Sequence, residues 1–168
     1  MDEWVDSPNR LQRSLRKIIA TRLVGWGLSH TIHHLDRAVI RLSDGRTSAA
    51  ALFTGLPIIA LTTTGARSGR PRTVPLVGIP DDERLILIAS NWGQERHPGW
   101  YHNIRANPQV TVRYDGQEAE YTAREVSGEE REAYWKRATT LYPGYRQYAV
   151  RTGREIPIMV LERRLDAG

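Results

Sequence analysis

Hydrophobic positions recur along this chain with two different periods. Between residues 7 and 45 the spacing is helical. Ser7-Pro8 reads as an N-cap followed by proline at the first helical position. Leu11, Leu15, Ile18, Ile19, Leu23 and Trp26 then form one stripe, with Arg13, Arg16 and Lys17 largely off it. A second helical stretch runs from about Thr31 to Leu42 and closes near Gly45. From residue 57 the texture becomes apolar and β-branched. Pro57 to Thr64 predicts a strand, and Gly65 to Pro71 a turn. Arg72 to Ile79 and Arg84 to Ser90 predict a hairpin across Pro80-Asp81-Asp82-Glu83. A loop from Asn91 to Pro98 leads into a short helix, Gly99 to Ala106. Val110 to Tyr114 and Gln117 to Val126 flank Asp115-Gly116, a strong two-residue hairpin signal. Ser127 and Glu130 have capping-box spacing and open a helix to about Tyr142. Pro143 breaks that helix, a further helical turn carries Tyr145 and Tyr148, and Ile156 to Glu162 is the last strand. Six predicted strands, mostly in antiparallel hairpins, with helices before them and late in the order, define an α+β barrel. Strand–helix alternation is missing, which argues against a doubly wound sheet.

Length and composition narrow the classes. At 168 residues the chain has room for one domain with a real core. Hydrophobic residues at 40% and charged ones at 26% are ordinary globular values. There is no cysteine, so disulfides, thiolate metal sites and a cysteine nucleophile are excluded. No apolar run approaches the roughly 20 residues that span a bilayer, and the acidic start Met1-Asp2-Glu3-Trp4 is unlike a secretion signal. A cytoplasmic protein is expected. The net charge of +5 is concentrated between residues 10 and 46, where it could meet an anionic surface.

Three stretches could carry chemistry. In Leu61-Thr-Thr-Thr-Gly-Ala-Arg-Ser-Gly-Arg-Pro-Arg-Thr-Val-Pro75 a strand ends in a turn with two glycines. Arg67, Arg70 and Arg72 stand there beside the hydroxyls of Thr64, Ser68 and Thr73, which suits a phosphate or carboxylate gripped by forked guanidinium groups. A solvated basic turn is the equally weighted alternative. It is not a Walker A loop, because the glycine spacing is too short and no Lys-Ser/Thr follows. The second stretch, Ala89-Ser90-Asn91-Trp92-Gly93 through His97-Pro-Gly-Trp-Tyr-His-Asn103, joins a strand end to a helix N-terminus. Trp92, Trp100, Tyr101 and His102 could wall a flat ring or simply fill the core; His97 reads as a loop or capping residue. In the third, Tyr142-Pro-Gly-Tyr145-Arg-Gln-Tyr148, Tyr145 and Tyr148 share a helix face and could cover a ring or donate a proton, with ordinary packing as the alternative. His30, His33 and His34 have partial metal-ligand spacing but only Asp36 as a nearby carboxylate, so no metal is expected. No nucleophile elbow occurs, and hydrolase chemistry has no support.

Taken in order, the LTTTGxRSGxPRxxPL, ASxxG…HPxWYxNxxANP and YWxR…YPxYxxY…IPxxxLE runs resemble the deazaflavin-dependent nitroreductase family, coenzyme F420-dependent oxidoreductases with a split β-barrel. The resemblance covers about residues 57 to 162. It implies a split β-barrel deazaflavin-binding domain over residues 46–168 and an N-terminal helical extension over 1–45. The turn with Ala66, Arg67, Ser68 and Arg72 would hold the coenzyme phosphate, followed along the strand by Thr73, Val74, Pro75, Leu76 and Val77. The segments Ile88, Ala89, Ser90, Asn91 and Gly99, Trp100, Tyr101, His102, Asn103 would line the deazaflavin ring. Tyr142, Tyr145 and Tyr148 would close the substrate side, with Tyr145 and Ser90 as the catalytic pair nearest the reacting carbon. Small residues at Val77-Gly78 and Gly99, and Asn91 where relatives often carry lysine, depart from the pattern and imply a wider pocket.

The implied activity is hydride transfer from reduced deazaflavin to a small oxidised acceptor: a quinone, enone, activated alkene or nitro compound. FMN in the same barrel class and a non-catalytic coenzyme-binding module are the alternatives. Nucleic acid is not an expected partner. A homodimer and a peripheral membrane contact through the N-terminal stripe stay open.

Overall fold

A computed structural model describes residues 57–164. The helices expected before residue 45, and the three histidines among them, lie outside the described residues. Seven strands form one antiparallel sheet: β1 (Ile58–Thr64), β2 (Pro71–Val77), β3 (Ile79–Asp81), β4 (Arg84–Ile88), β5 (Gln109–Tyr114), β6 (Gln117–Glu125) and β7 (Ile158–Arg163). Three helices join them: α1 (Gly99–Ala106), α2 (Gly128–Leu141) and α3 (Gly144–Thr152). The spatial order is β2-β1-β5-β6-β7-β4-β3.

The two outer strands of that order, β2 and β3, are consecutive in the chain with only Gly78 between them. One bent ribbon thus pairs with β1 through its first half and with β4 through its second, and the sheet curls until β2 approaches β4. The result is a split β-barrel within an α+β fold. The bend needs a glycine: a Cβ at Gly78 would stand 2.9 Å from Ile59 Cγ2, and the Gly78 N–H donates to Pro57 O at 3.0 Å.

Burial explains the continuous apolar runs in β4 and β7. Leu85, Leu87, Met159 and Leu161 join Ile59, Leu61, Val110, Val112 and Ile104 in one cluster. Ile86, Ile88, Ile158 and Val160 point the other way, into a second cluster with Tyr142, Tyr145 and Tyr148. These two central strands are covered on both faces, so the polar alternation of a half-exposed strand is absent. Each such fully buried aliphatic side chain contributes about 1.5–3 kcal/mol.

Two expectations need correction. The run from Arg72 to Ile79 is not one arm of a hairpin with Arg84 to Ser90. β2 pairs instead with β1, from Ile58↔Val77 to Thr64↔Pro71, and only β3 pairs with β4. Gly78 divides the run, which raises the strand count from six to seven. The capping box also fails to form. Ser127 holds the N-cap position of α2 without a side-chain hydrogen bond, and the Glu130 carboxylate that would complete the box instead accepts two hydrogen bonds from Arg124 at 2.7 and 2.8 Å. Arg124 also donates to Glu162 at 3.0 Å, tying β6, β7 and α2 together. Two charge-assisted bonds to one guanidinium outcompete a single bond from a backbone N–H. The Asp115-Gly116 hairpin turn forms as expected, with Tyr114 opposite Gln117.

Candidate functional site

The β1–β2 turn closes on itself. Gly65 N–H donates to Arg70 O at 2.9 Å, Gly69 N–H to Gly65 O at 2.8 Å, and Arg70 N–H to Ser68 Oγ at 3.3 Å. Its three guanidinium groups, on Arg67, Arg70 and Arg72, are exposed and have no carboxylate partner among the described residues. Threonine hydroxyls line the base of the hairpin, with Thr62 Oγ1 and Thr73 Oγ1 2.8 Å apart. Some arginines elsewhere on the surface are paired, Arg113 with Glu118, Arg124 with Glu130 and Glu162, and Arg137 with Asp81, while scattered ones such as Arg96 and Arg146 are not. What distinguishes the turn is three such guanidinium groups within six positions, a local concentration of positive charge.

Asn103 connects this turn to α1. Its amide accepts from Ala66 N–H at 3.0 Å and donates to the buried Thr63 Oγ1 at 3.0 Å, and Thr63 donates in turn to Arg72 O at 3.4 Å. The hairpin end and the start of α1 are thus one unit. At that start Gly99 is exposed and faces open space, with no atom near where a Cβ would stand. Tyr101 turns inward. It is buried, and its hydroxyl donates to Glu125 Oε2 at 3.0 Å. Trp100 packs partly against the same core, while His102 is exposed.

The segment after β4 has unusual backbone geometry. Asn91, Trp92 and Gly93 all lie in the left-handed region, with φ of 48°, 57° and 69°. For a residue with a Cβ this costs about 1–2 kcal/mol, so outside contacts must hold the loop. Two arginines near the end of α3 do so. Arg151 donates to Trp92 O at 2.5 Å and to Gly93 O at 3.2 Å. Arg154 donates to Ala89 O at 3.2 Å, Ser90 O at 3.0 Å and Gln94 O at 3.2 Å, and to His97 Nδ1 at 3.0 Å. Arginine has no acceptor, so Nδ1 of His97 carries no proton. Burial and the Arg154 charge hold the His97 imidazole below its ordinary pKa. Gly93 is obligatory here: a Cβ would meet Tyr148 Cδ1 at 2.8 Å and the Arg151 guanidinium even closer.

Tyr142, Tyr145 and Tyr148 form one buried aromatic cluster. Tyr142 and Tyr145 meet edge-on with ring centres 5.1 Å apart, and the hydroxyls of Tyr142 and Tyr148 are 3.0 Å apart. Burial pushes all three phenols above their ordinary pKa, so they are neutral donors. The Tyr145 hydroxyl makes no hydrogen bond among the described residues, and neither does the hydroxyl of the buried Ser90. Among the expected residues, Ile88 packs in the tyrosine cluster and Val77 packs partly against it. Val74 and Leu76 lie half-buried on the other cluster. Arg151 and Arg154 were missed by sequence reasoning. Single arginines about 60 positions from the loop they hold leave no local signal.

A split barrel with three guanidinium groups at one hairpin end, and a buried tyrosine cluster elsewhere in the fold, places the chain in the class of split-barrel oxidoreductases that use an organic coenzyme. The chain belongs to the F420H(2)-dependent quinone reductase family, whose sequence profile matches residues 34–163. An F420H(2)-dependent quinone reductase of Mycobacterium tuberculosis (strain ATCC 25618 / H37Rv) is 36% identical over 111 residues, spanning 64% of this chain and 74% of that one. A solved F420-H2 dependent reductase (FDR-A) superposes with a TM-score of 0.59 at 44% identity, covering 63% of this chain and 94% of the other. A second solved structure, a domain-swapped dimer, gives 0.61 at 38% identity, covering 75% and 95%. The protein is an F420H2-dependent oxidoreductase with coenzyme F420 as its cofactor. The family description specifies quinone reduction where the motifs suggest the nitroreductase label; the two share the reduced deazaflavin donor. No helix among the described residues is long and apolar enough to cross a membrane, and no group of three His, Asp or Glu there could hold a metal.

Proposed function

We propose that the protein reduces a small quinone, binding the coenzyme between the Arg67–Arg72 turn, the start of α1 and the segment Ile88–Asn91. The single observation that carries this reading is the set of three exposed guanidinium groups without carboxylate partners among the described residues, on a turn tied by Asn103 to α1. Coenzyme F420 brings a phosphate and a carboxylate-bearing tail, and those guanidinium groups suit both. When bound and reduced, the coenzyme supplies a hydride. In this reading Ala66, Ser68 and Thr73 complete the phosphate turn, and Val74, Pro75, Leu76 and Val77 form the wall along the strand. Ser90, Asn91, Gly99, Trp100 and His102 border the ring. The inward Tyr101 side chain supports a backbone role for that residue.

Tyr145 and Ser90 have the chemistry to orient the acceptor, since both residues are buried and neutral and neither hydroxyl makes a hydrogen bond among the described residues. Tyr142 and Tyr148 engage each other and serve as the apolar wall of the substrate side. Fluorescence titration with coenzyme F420 and FMN side by side tests the coenzyme assignment. Preference for FMN overturns it. Oxidation of the reduced coenzyme by quinone, enone and nitro acceptors tests the substrate class, with quinones expected to turn over fastest.

Residues 46–168 would then be the coenzyme-binding unit and 1–45 an extension. The relative that forms a domain-swapped dimer supports a homodimer here. An N-terminal apolar stripe of Leu11, Leu15, Ile18 and Trp26, with Arg13, Arg16 and Lys17 on the opposing face, meeting a quinone-bearing membrane predicts salt-sensitive sedimentation with anionic vesicles. Protein that stays in the supernatant at low salt assigns the stripe to the fold or to a second subunit.

A further inference from the structure

We propose that Arg154 is a positioning residue for hydride transfer, fixing the Ala89–His97 segment in the conformation that presents Ser90 and Asn91 to the coenzyme. The inference rests on the ring-lining role given to that segment above. The segment contains three consecutive left-handed residues and one turn of 3-10 helix, held internally by Gly93 N–H to Ser90 O at 2.9 Å, Gln94 N–H to Asn91 O at 3.0 Å and Asn91 Nδ2 to Arg96 O at 2.9 Å. These short-range bonds do not reach from one end of the segment to the other; one partly buried guanidinium does. Arg154 reaches four acceptors: the carbonyls of Ala89, Ser90 and Gln94, and His97 Nδ1. These acceptors mark the beginning, the middle and the end of the segment, so one rigid planar group clamps its whole length.

The adjacent carbonyls of Ala89 and Ser90 both accept from Arg154 Nη2, at 3.2 and 3.0 Å. Both must turn toward that group, which sets the peptide planes on either side of Ser90 and hence where its hydroxyl points. Removing the arginine leaves the Ala89 carbonyl without its partner and Ser90 O with only the Gly93 N–H at 2.9 Å, so the peptide planes lose the group that orients both. Lysine cannot substitute. Its three donors leave one nitrogen and cannot span four acceptors laid out across a fork. Arg151 supports the same loop from the exposed side, through Trp92 O and Gly93 O. The clamp also links the two halves of the proposed site. Arg154 follows α3, which carries Tyr145, while its acceptors lie on the segment that carries Ser90.

The test uses the full chain as Arg154→Ala and Arg154→Lys, with Tyr145→Phe as a comparison. Thermal melts establish that each is folded at the assay temperature. Coenzyme F420 affinity is read by fluorescence quenching, and kcat and KM by oxidation of the reduced coenzyme with a soluble quinone. Displacing the loop without touching the arginine turn should lower kcat by roughly tenfold to a hundredfold, with coenzyme affinity changed much less. Added guanidinium chloride at millimolar concentration should recover part of the Arg154→Ala turnover, which loss of global stability would not allow. If Arg154→Ala does not fold, Arg154→Lys carries the test, with the same fall in kcat expected. A folded variant with wild-type kcat overturns the inference. So does a loss that guanidinium cannot restore and that simply follows the melting temperature. Failure of the wild-type protein to bind coenzyme F420 would instead overturn the site assignment on which the inference stands.

Discussion

Arg67, Arg70 and Arg72 are the residues on which coenzyme affinity should depend, because nothing else among the described residues neutralises them. A charge-assisted hydrogen bond contributes about 1.5–3 kcal/mol. Arg67→Ala and Arg72→Ala should therefore each weaken coenzyme F420 binding by roughly tenfold to a hundredfold. Binding measured from low to high salt should weaken steeply in the wild type and less in the double variant. Tyr145 is separable from them. Its hydroxyl has no partner to lose, so Tyr145→Phe should lower turnover while leaving coenzyme affinity close to wild type, read from steady-state kinetics beside the titration. His97 gives a pH dependence whose sign is fixed. Burial and Arg154 depress its folded pKa, so the unfolded chain takes up a proton first as pH falls below about 6.5. Stability is full above that value and declines as pH drops toward the lower folded pKa. Between pH 7.5 and 5.5 the wild-type melting temperature should fall more than that of His97→Gln, whose side chain can still accept from Arg154.

Elements differ in how openly the sequence displays them. The arginine turn was legible because its glycines, hydroxyls and guanidinium groups are contiguous. The helix carrying Tyr145 and Tyr148 was legible because proline and glycine mark its start. The bent ribbon was hidden. Gly78 interrupts a β pattern that continues on both sides, and a lone glycine does not reveal which strand each half will join. Its importance can be measured. Gly78→Val would drive a side chain into Ile59 and should destabilise the fold by about 1–3 kcal/mol in urea unfolding. Ile59→Ala should relieve part of that strain when the two changes are combined, a coupling that independent sites would not show. The Glu130 misreading has a related cause. Capping-box spacing is a local signal, and Arg124 reaches Glu130 from the neighbouring strand.

At the scale of the whole molecule, two local ribbons meet in one sheet. Strands β1, β2, β5 and β6 form one group and β3 and β4 the other, and β7 lies between them, paired with β6 on one side and β4 on the other. An α+β barrel could be read from the run of hairpins and its split form from the family resemblance, but the central place of the last strand could not, because its partners lie far back in the chain. That placement orders events during synthesis. Each of the three hairpins can close soon after it leaves the ribosome, since its strands are separated only by a short turn. The sheet as a whole must wait for Ile158–Arg163, and until then β6 and β4 each present a row of unsatisfied backbone groups, the kind of edge that recruits other chains. Nascent chains arrested before residue 158 should accordingly be protease-sensitive and prone to aggregate. Release of about six more residues, roughly the length of β7, should convert them abruptly to a resistant form.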